Sequence, residues 1–192
     1  MTDLTTNDQE CILKRELYQR ETRDVTVQRT VKINAMLHDT VIAPIWDLVA
    51  GDGKGAEMFV QENIAAFGED GNIKDYSRLK LTIGDLYMPS YILLEEDPCG
   101  AGGVLFFTDA DEEDEALRKK EPERKLDRLC YVIIQDGEIY ARLYDDTSRD
   151  DLAHYLIHSI DVPKNMHVFV FFCDKEMKHF SPSEYQMLFV EE

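Results

Sequence analysis

Positive charge is scarce in this chain. Its 192 residues hold 21 Lys+Arg against 39 Asp+Glu, a formal net charge of −18. Direct binding to DNA, RNA or an anionic membrane surface is therefore not expected, because phosphates are bound by Lys and Arg. Cysteine is also sparse: Cys11, Cys99, Cys130 and Cys173 show no paired spacing. That argues against a disulfide scaffold and for a reducing, cytoplasmic setting. Long hydrophobic runs are missing too. The longest, Val168-Phe169-Val170-Phe171-Phe172-Cys173, falls far short of the roughly 20 residues that span a bilayer. The first residues, Met1-Thr2-Asp3-Leu4-Thr5, are polar and acidic with no basic region ahead of an apolar stretch, so no secretory signal is expected. No internal repeat of about 20–50 residues is found.

What remains has a globular composition, 44% hydrophobic with nine Phe and nine Tyr, more than a disordered acidic chain carries. The length suits one domain over residues 1–192, with a mainly helical part at 1–68 and a sheet-forming part at 78–192. The acidity is not one detachable tail. Residues 1–50, 51–100, 101–150 and 151–192 carry −2, −6, −6 and −4. A field of this kind raises encounter rates with basic partners and repels nucleic acid.

Residues 7–23 read as a charged helix with Ile12, Leu13 and Leu17 on one face. Residues 25–33 are ambiguous, since Val25, Val27, Val31 and Ile33 alternate as in a strand while their neighbours fit a helix. Residues 34–43 look helical, Pro44 kinks or restarts the chain, and an amphipathic helix follows at about 55–67. From residue 78 the pattern turns to β, with strands at 78–83, 91–95 and 103–108. The clearest local signal is Asp136-Gly137 between 130–135 and 138–144, the pairing a two-residue type I′ hairpin requires. A helix is predicted at about 149–160, after Ser148. Residues 167–173 read as a central strand buried on both faces, and 187–190 as a last edge strand. The order predicts an α+β fold, N-terminal helices packed with a mostly antiparallel sheet containing a ββαβ unit.

The segment 109–128 interrupts the sheet pattern as a charged insertion. Its acidic half is Asp109, Asp111, Glu112, Glu113, Asp114 and Glu115; Arg118, Lys119, Lys120, Arg124, Lys125 and Arg128 follow. Acid before base matches a helix macrodipole, hence an exposed helix from about 111 to 120. The sharper expectation makes the acidic half the surface presented to a basic protein. It is no EF-hand, because Asp114 stands where Gly is wanted and Lys120 where a bidentate Glu belongs.

His154 and His158 lie four apart on the predicted helix, which would place both imidazoles on one face as candidate metal ligands. A zinc-protease pattern needs Glu directly after the first His, and Tyr155 stands there. His38-Asp39-Thr40 and His179-Phe180-Ser181 resemble the His-x-Thr/Ser pair of two-histidine phosphoesterases, over six residues. That family sets each motif on a strand between apolar residues, whereas His38 sits in helix-like sequence and His179 follows Lys178. Cys99, in a glycine-rich turn, has no His near it in sequence to serve as base. Gly51-Asp52-Gly53-Lys54-Gly55 lacks the phosphate-loop spacing. No cofactor motif is present.

Three readings follow. The preferred one is a binding protein that docks onto a basic partner, such as a nucleic-acid enzyme or toxin, and inhibits or regulates it, as an immunity protein, phage-encoded inhibitor or nucleic-acid mimic does. The second is a small metal-dependent hydrolase or phosphoesterase built on His154 and His158. The third is an assembly subunit that self-associates through the N-terminal helices.

Overall fold

A computed structural model describes residues 6–39, 42–89, 91–96, 102–108, 116, 119–135, 138–142, 148–149, 154–158 and 165–188. Among these residues three α-helices come first: α1 Thr6–Asp39, α2 Ala43–Ala50 and α3 Gly55–Asn63. Seven strands follow among them: β1 Tyr91–Glu96, β2 Gly102–Thr108, β3 Arg128–Gln135, β4 Glu138–Arg142, β5 His154–His158, β6 Met166–Cys173 and β7 Glu184–Leu188. They form a three-stranded sheet, β1-β2-β5, and a four-stranded sheet, β4-β3-β6-β7. All pairings are antiparallel. The class is α+β.

The four-stranded sheet is the middle layer of three. Side chains alternate across a strand, so β3 and β6 feed two cores. Cys130, Val132, Ile134, Phe169, Phe171 and Cys173 face the helices, where Ile33, Met36 and Leu37 of α1, Ile45 and Trp46 of α2 and Phe59 of α3 meet them. The opposite residues, Leu129, Tyr131, Ile133, Val168, Val170 and Phe172, pack with Ile92 and Leu94 of β1. A strand covered on both faces is apolar at every position, which is why 168–173 carries no polar side chain. The Asp136-Gly137 hairpin reading matches the pairing of Gln135 with Glu138 that joins β3 to β4; the two turn residues themselves lie outside the described residues.

Trp46 fixes the helical layer. Its ring meets Phe59 edge-on at 5.1 Å, and its Nε1–H donates to the Leu81 carbonyl at 2.8 Å. The start of α3 approaches the middle of α2 so closely that a Cβ on Gly55 would lie 2.5 Å from the Asp47 nitrogen.

One ambiguity is resolved and three expectations need correction. The ambiguous stretch 25–33 is helix, part of the single unbroken α1. Its last turns are held by the sheet through Ile33, Met36 and Leu37, and Arg29 donates to the carbonyls of Ile64 and Phe67. Residues 78–83 are not a strand: a 3-10 turn at Tyr76–Arg78 leads into an extended stretch. Its polar backbone groups are met by side chains instead of a ladder. Asn63 both accepts from the Lys80 N–H and donates to its carbonyl, and the Ser183 hydroxyl accepts from the Leu81 N–H at 2.9 Å. Within the helix predicted at about 149–160, residues 154–158 form β5 instead, so the described residues contain no ββαβ unit. Tyr155, Leu156 and Ile157 suit a strand, and the backbone pairs with the open edge of β2 in the register Leu105↔Tyr155. The last strand begins at Glu184, three residues before the predicted start.

Phe171 is fully buried at the centre of the helix-facing core. Phe171→Ala is expected to cost about 3–5 kcal/mol in chemical denaturation, from lost transfer energy and the cavity left behind.

Candidate docking surface

The best-defined charged surface lies on the helical layer. Trp46 and Phe59 turn inward, which leaves Asp47 on α2 and Glu57 and Glu62 on the α3 side outward; all three are exposed. The connection Gly51-Asp52-Gly53 runs through left-handed backbone, with φ values of 65°, 51° and 68°. Glycine takes that conformation freely, and Asp tolerates it better than most residues. The tight connection exposes Asp52. Beyond the 3-10 turn Ile64–Ala66, a loop closed by the Gly68 N–H on the Asn72 carbonyl at 2.8 Å exposes Glu69 and Asp70.

Between residues 43 and 70 these six carboxylates share the segment with one basic residue, Lys54. Among the described residues, Glu62 is paired with Lys80 at 2.7 Å, while Asp47, Asp52, Glu57 and Glu69 enter no ion pair. Asp70 accepts from the Asn72 backbone and side-chain nitrogens; those hydrogen bonds hold its carboxyl below the usual range, so it stays ionised into acid.

The residues singled out from the sequence are dispersed. Asp109, Asp111, Glu112, Glu113, Asp114 and Glu115 lie outside the described residues, as does Cys99. His154 and His158 open and close β5. The one-turn proximity that a helix gives positions i and i+4 is replaced by about 13 Å of strand between their Cα atoms, which removes the geometric basis for pairing them; their side chains lie outside the described residues. His38 is exposed at the end of α1, and His179 is exposed in the loop after β6, its Nδ1 3.4 Å from Asp85. Neither stands on a strand. The Ser181 hydroxyl is buried, accepting from the Phe172 N–H at 2.8 Å and donating to the Pro182 carbonyl, so it holds the backbone and is not open to a phosphate. Among the described residues no group of three His, Cys, Asp or Glu is placed to hold a metal ion.

Two polar clusters had no sequence signal, because each draws on residues far apart in the chain: Tyr76 with His167, and Asp127 with Arg149 and Tyr87. Tyr76 stacks on His167 at 3.6 Å with rings 7° from parallel, and His167 Nδ1 meets the Tyr185 hydroxyl at 2.9 Å. Burial lowers the imidazole pKa and raises both phenols, so the cluster is neutral near pH 7. It borders an open, mostly apolar cleft of about 350 Å³ lined by Met36, Phe67, Tyr76, Ile134, Ile139 and Lys32. The second cluster centres on Asp127, 1% exposed. Arg124 Nη1 lies 3.4 Å from its carboxylate, and the Asp127 carbonyl accepts from the Arg149 N–H at 2.8 Å. The Arg149 guanidinium in turn sits 3.9 Å over the Tyr87 ring and donates to the Tyr87 carbonyl. Burial pushes the Asp127 carboxyl up to about 6, against the opposing pull of Arg124 and Arg149.

No protein-family model, no curated protein and no solved structure matches the chain.

The Asp127 shift sets a pH dependence. The folded-state pKa lies above the ordinary value of 3.8, so the folded chain holds the proton more tightly than the unfolded chain. This group's contribution is therefore most favourable below about pH 4 and is lost as pH rises towards and through 6. Asp127→Asn cannot ionise. The wild-type stability minus that of the variant, from urea unfolding at pH 4, 5, 6 and 7, is expected to fall by roughly 2 kcal/mol across the series.

Proposed function

We propose that this protein is a non-enzymatic binding protein, acting in the cytoplasm, that docks through carboxylates onto a basic protein partner and so inhibits or regulates it. The observation that carries the reading is the α2–α3 surface. Asp47, Asp52, Glu57, Glu62, Glu69 and Asp70 are exposed there with Lys54 as the one base in the segment. Long-range attraction from such a surface speeds encounter, and a row of carboxylates competes for the Arg/Lys groove that would otherwise take phosphates. Rigidity favours the same conclusion. Asp47, Glu57 and Glu62 stand on helices pinned by Trp46, Phe59 and Gly55, so little ordering cost is added on binding. Leu48 and Val49, 51% and 41% exposed beside Asp47, add apolar area of the kind that desolvates at the centre of an interface. The acidic run Asp109–Glu115 belongs to the same reading as a second acidic element. Cys130 and Cys173, buried free thiols with Sγ atoms 3.5 Å apart, fit a reducing compartment.

The test compares two variants of equal net charge. One carries Asp47→Asn, Asp52→Asn, Glu57→Gln and Glu69→Gln; the other neutralises Asp85, Glu95, Glu123 and Glu176, which are exposed elsewhere. Partners are captured from host lysate at about 50 mM salt and eluted at about 500 mM, a span over which screening becomes strong. A basic protein retained by wild type and by the second variant, but bound at least about 10-fold more weakly by the first, is the expected result. Equal binding by both variants, or no basic protein retained by the wild type, overturns the reading.

A further inference from the structure

The longest element is the least supported. Near its C-terminal end α1 is tied to the helical layer by Arg29, which donates to the carbonyls of Ile64 and Phe67. Lys14, Leu17 and every residue from Gln19 to Gln28 are exposed. From Gln19 to Gln28, about 15 Å of helix, α1 is therefore exposed on every face. Their composition does not suit a solitary helix. Thr22, Val25, Thr26, Val27, Thr30 and Val31 are β-branched, and such residues lower helix propensity. The Thr26 and Thr30 hydroxyls donate back to the Thr22 and Thr26 carbonyls. Helices of this kind draw their stability from packing of an apolar face. That face exists and is uncovered: Leu17 is 57% exposed, Val27 55% and Val31 61%. It points away from the body, since Val31 lies about 200° around the helix from Ile33, which is buried against the sheet.

We infer that this face binds a second copy of the chain as an antiparallel helix pair centred on residue 22. Leu13, Leu17, Arg20, Asp24, Val27 and Val31 recur at alternating steps of four and three, the spacing of a coiled-coil seam. The series is also complementary to its own reverse. When one α1 is laid antiparallel on another, Leu13 faces Val31 of the second copy, Leu17 faces Val27, and Arg20 faces Asp24. The two-fold axis repeats each layer, so four apolar layers flank two oppositely charged ones. Arg20 and Asp24 are exposed and make no ion pair with each other or with any other described residue, which leaves both charges available. Polar groups within a seam fix its register and direction. A parallel pairing would set Arg20 on Arg20 and Asp24 on Asp24, so charge selects the antiparallel arrangement. The two bodies then sit at opposite ends of the pair, each on the side of its own helix away from the seam. This surface is distinct from the α2–α3 carboxylates and stands or falls separately from the docking function.

The full chain is tested by sedimentation equilibrium from about 1 to about 200 μM, the range in which a short seam with two polar layers associates. The wild type is expected to pass from 22.2 kDa towards twice that mass. Arg20→Asp places two carboxylates in each central layer and is expected to weaken dimerisation at least about 10-fold; Asp24→Arg does the same with two guanidiniums. The double exchange R20D/D24R restores opposite charges and is expected to return the dissociation constant to within about 3-fold of wild type. Because these positions are exposed, circular dichroism of the variants should show folded protein. A wild type that stays monomeric throughout, a dimer indifferent to R20D, or a double exchange no tighter than the single ones overturns the proposal.

Discussion

Everything in this fold depends on β6 and β3 being buried on both faces. Val168, Phe169, Val170, Phe171 and Phe172 are each at zero exposure, with alternate members committed to two different cores. The helices cover one face of the sheet and β1 the other. Among the described residues neither layer enters the opposite core, and the strands of the sheet join the two, β7 among them through Tyr185 on one side and Leu188 on the other. A polar residue in this run would strand an unsatisfied group in one of the two cores, which is why it is the most uniformly apolar stretch of an otherwise charged chain.

With the apolar residues used inside, the surface inherits the acid. A chain of −18 pays for solubility with self-repulsion in the folded state. The structure relieves this locally where carboxylates meet partners, as at Asp70 with Asn72 and Glu62 with Lys80. Along α2 and α3 it leaves Asp47, Asp52 and Glu57 without a cation. The contrast with Asp127 is instructive. There a carboxylate is buried beside Arg124, near an Arg149 that is itself held by the Tyr87 ring and carbonyl, and it ties the 3-10 turn Pro122–Leu126 to the start of β3. One kind of acid organises the interior; the other is presented outward.

The same division governs α1. Its last turns carry Ile33, Met36 and Leu37 into the core, while Leu17 and every residue from Gln19 to Gln28 are exposed. Helix length beyond the body is of no use to the core, and β-branched residues there weaken an isolated helix. A covering partner resolves that conflict, and the charge order Arg20 then Asp24 is the feature that selects a reversed copy over a parallel one.

Local pattern made much of this legible. Continuous apolarity marked β6, the Asp-Gly pair marked the β3–β4 hairpin, Pro44 marked the start of a second helix, composition set the acidic character, and the order of helical and strand patterns set the α+β class. These readings hold because each depends on residues close together in the chain. Tertiary structure decided the rest. Residues 154–158 are a strand because the edge of β2 is open to them, and residues 25–33 are helical because their continuation is anchored at Arg29 and Ile33; neither partner is visible from the segment itself. The stacking of Tyr76 on His167, and the approach of Arg124 and Arg149 to Asp127, join residues separated by a whole layer of the fold or by a turn. Short-range propensity carries no information about such neighbours, because their energy comes from burial and pairing that exist only once the layers have closed.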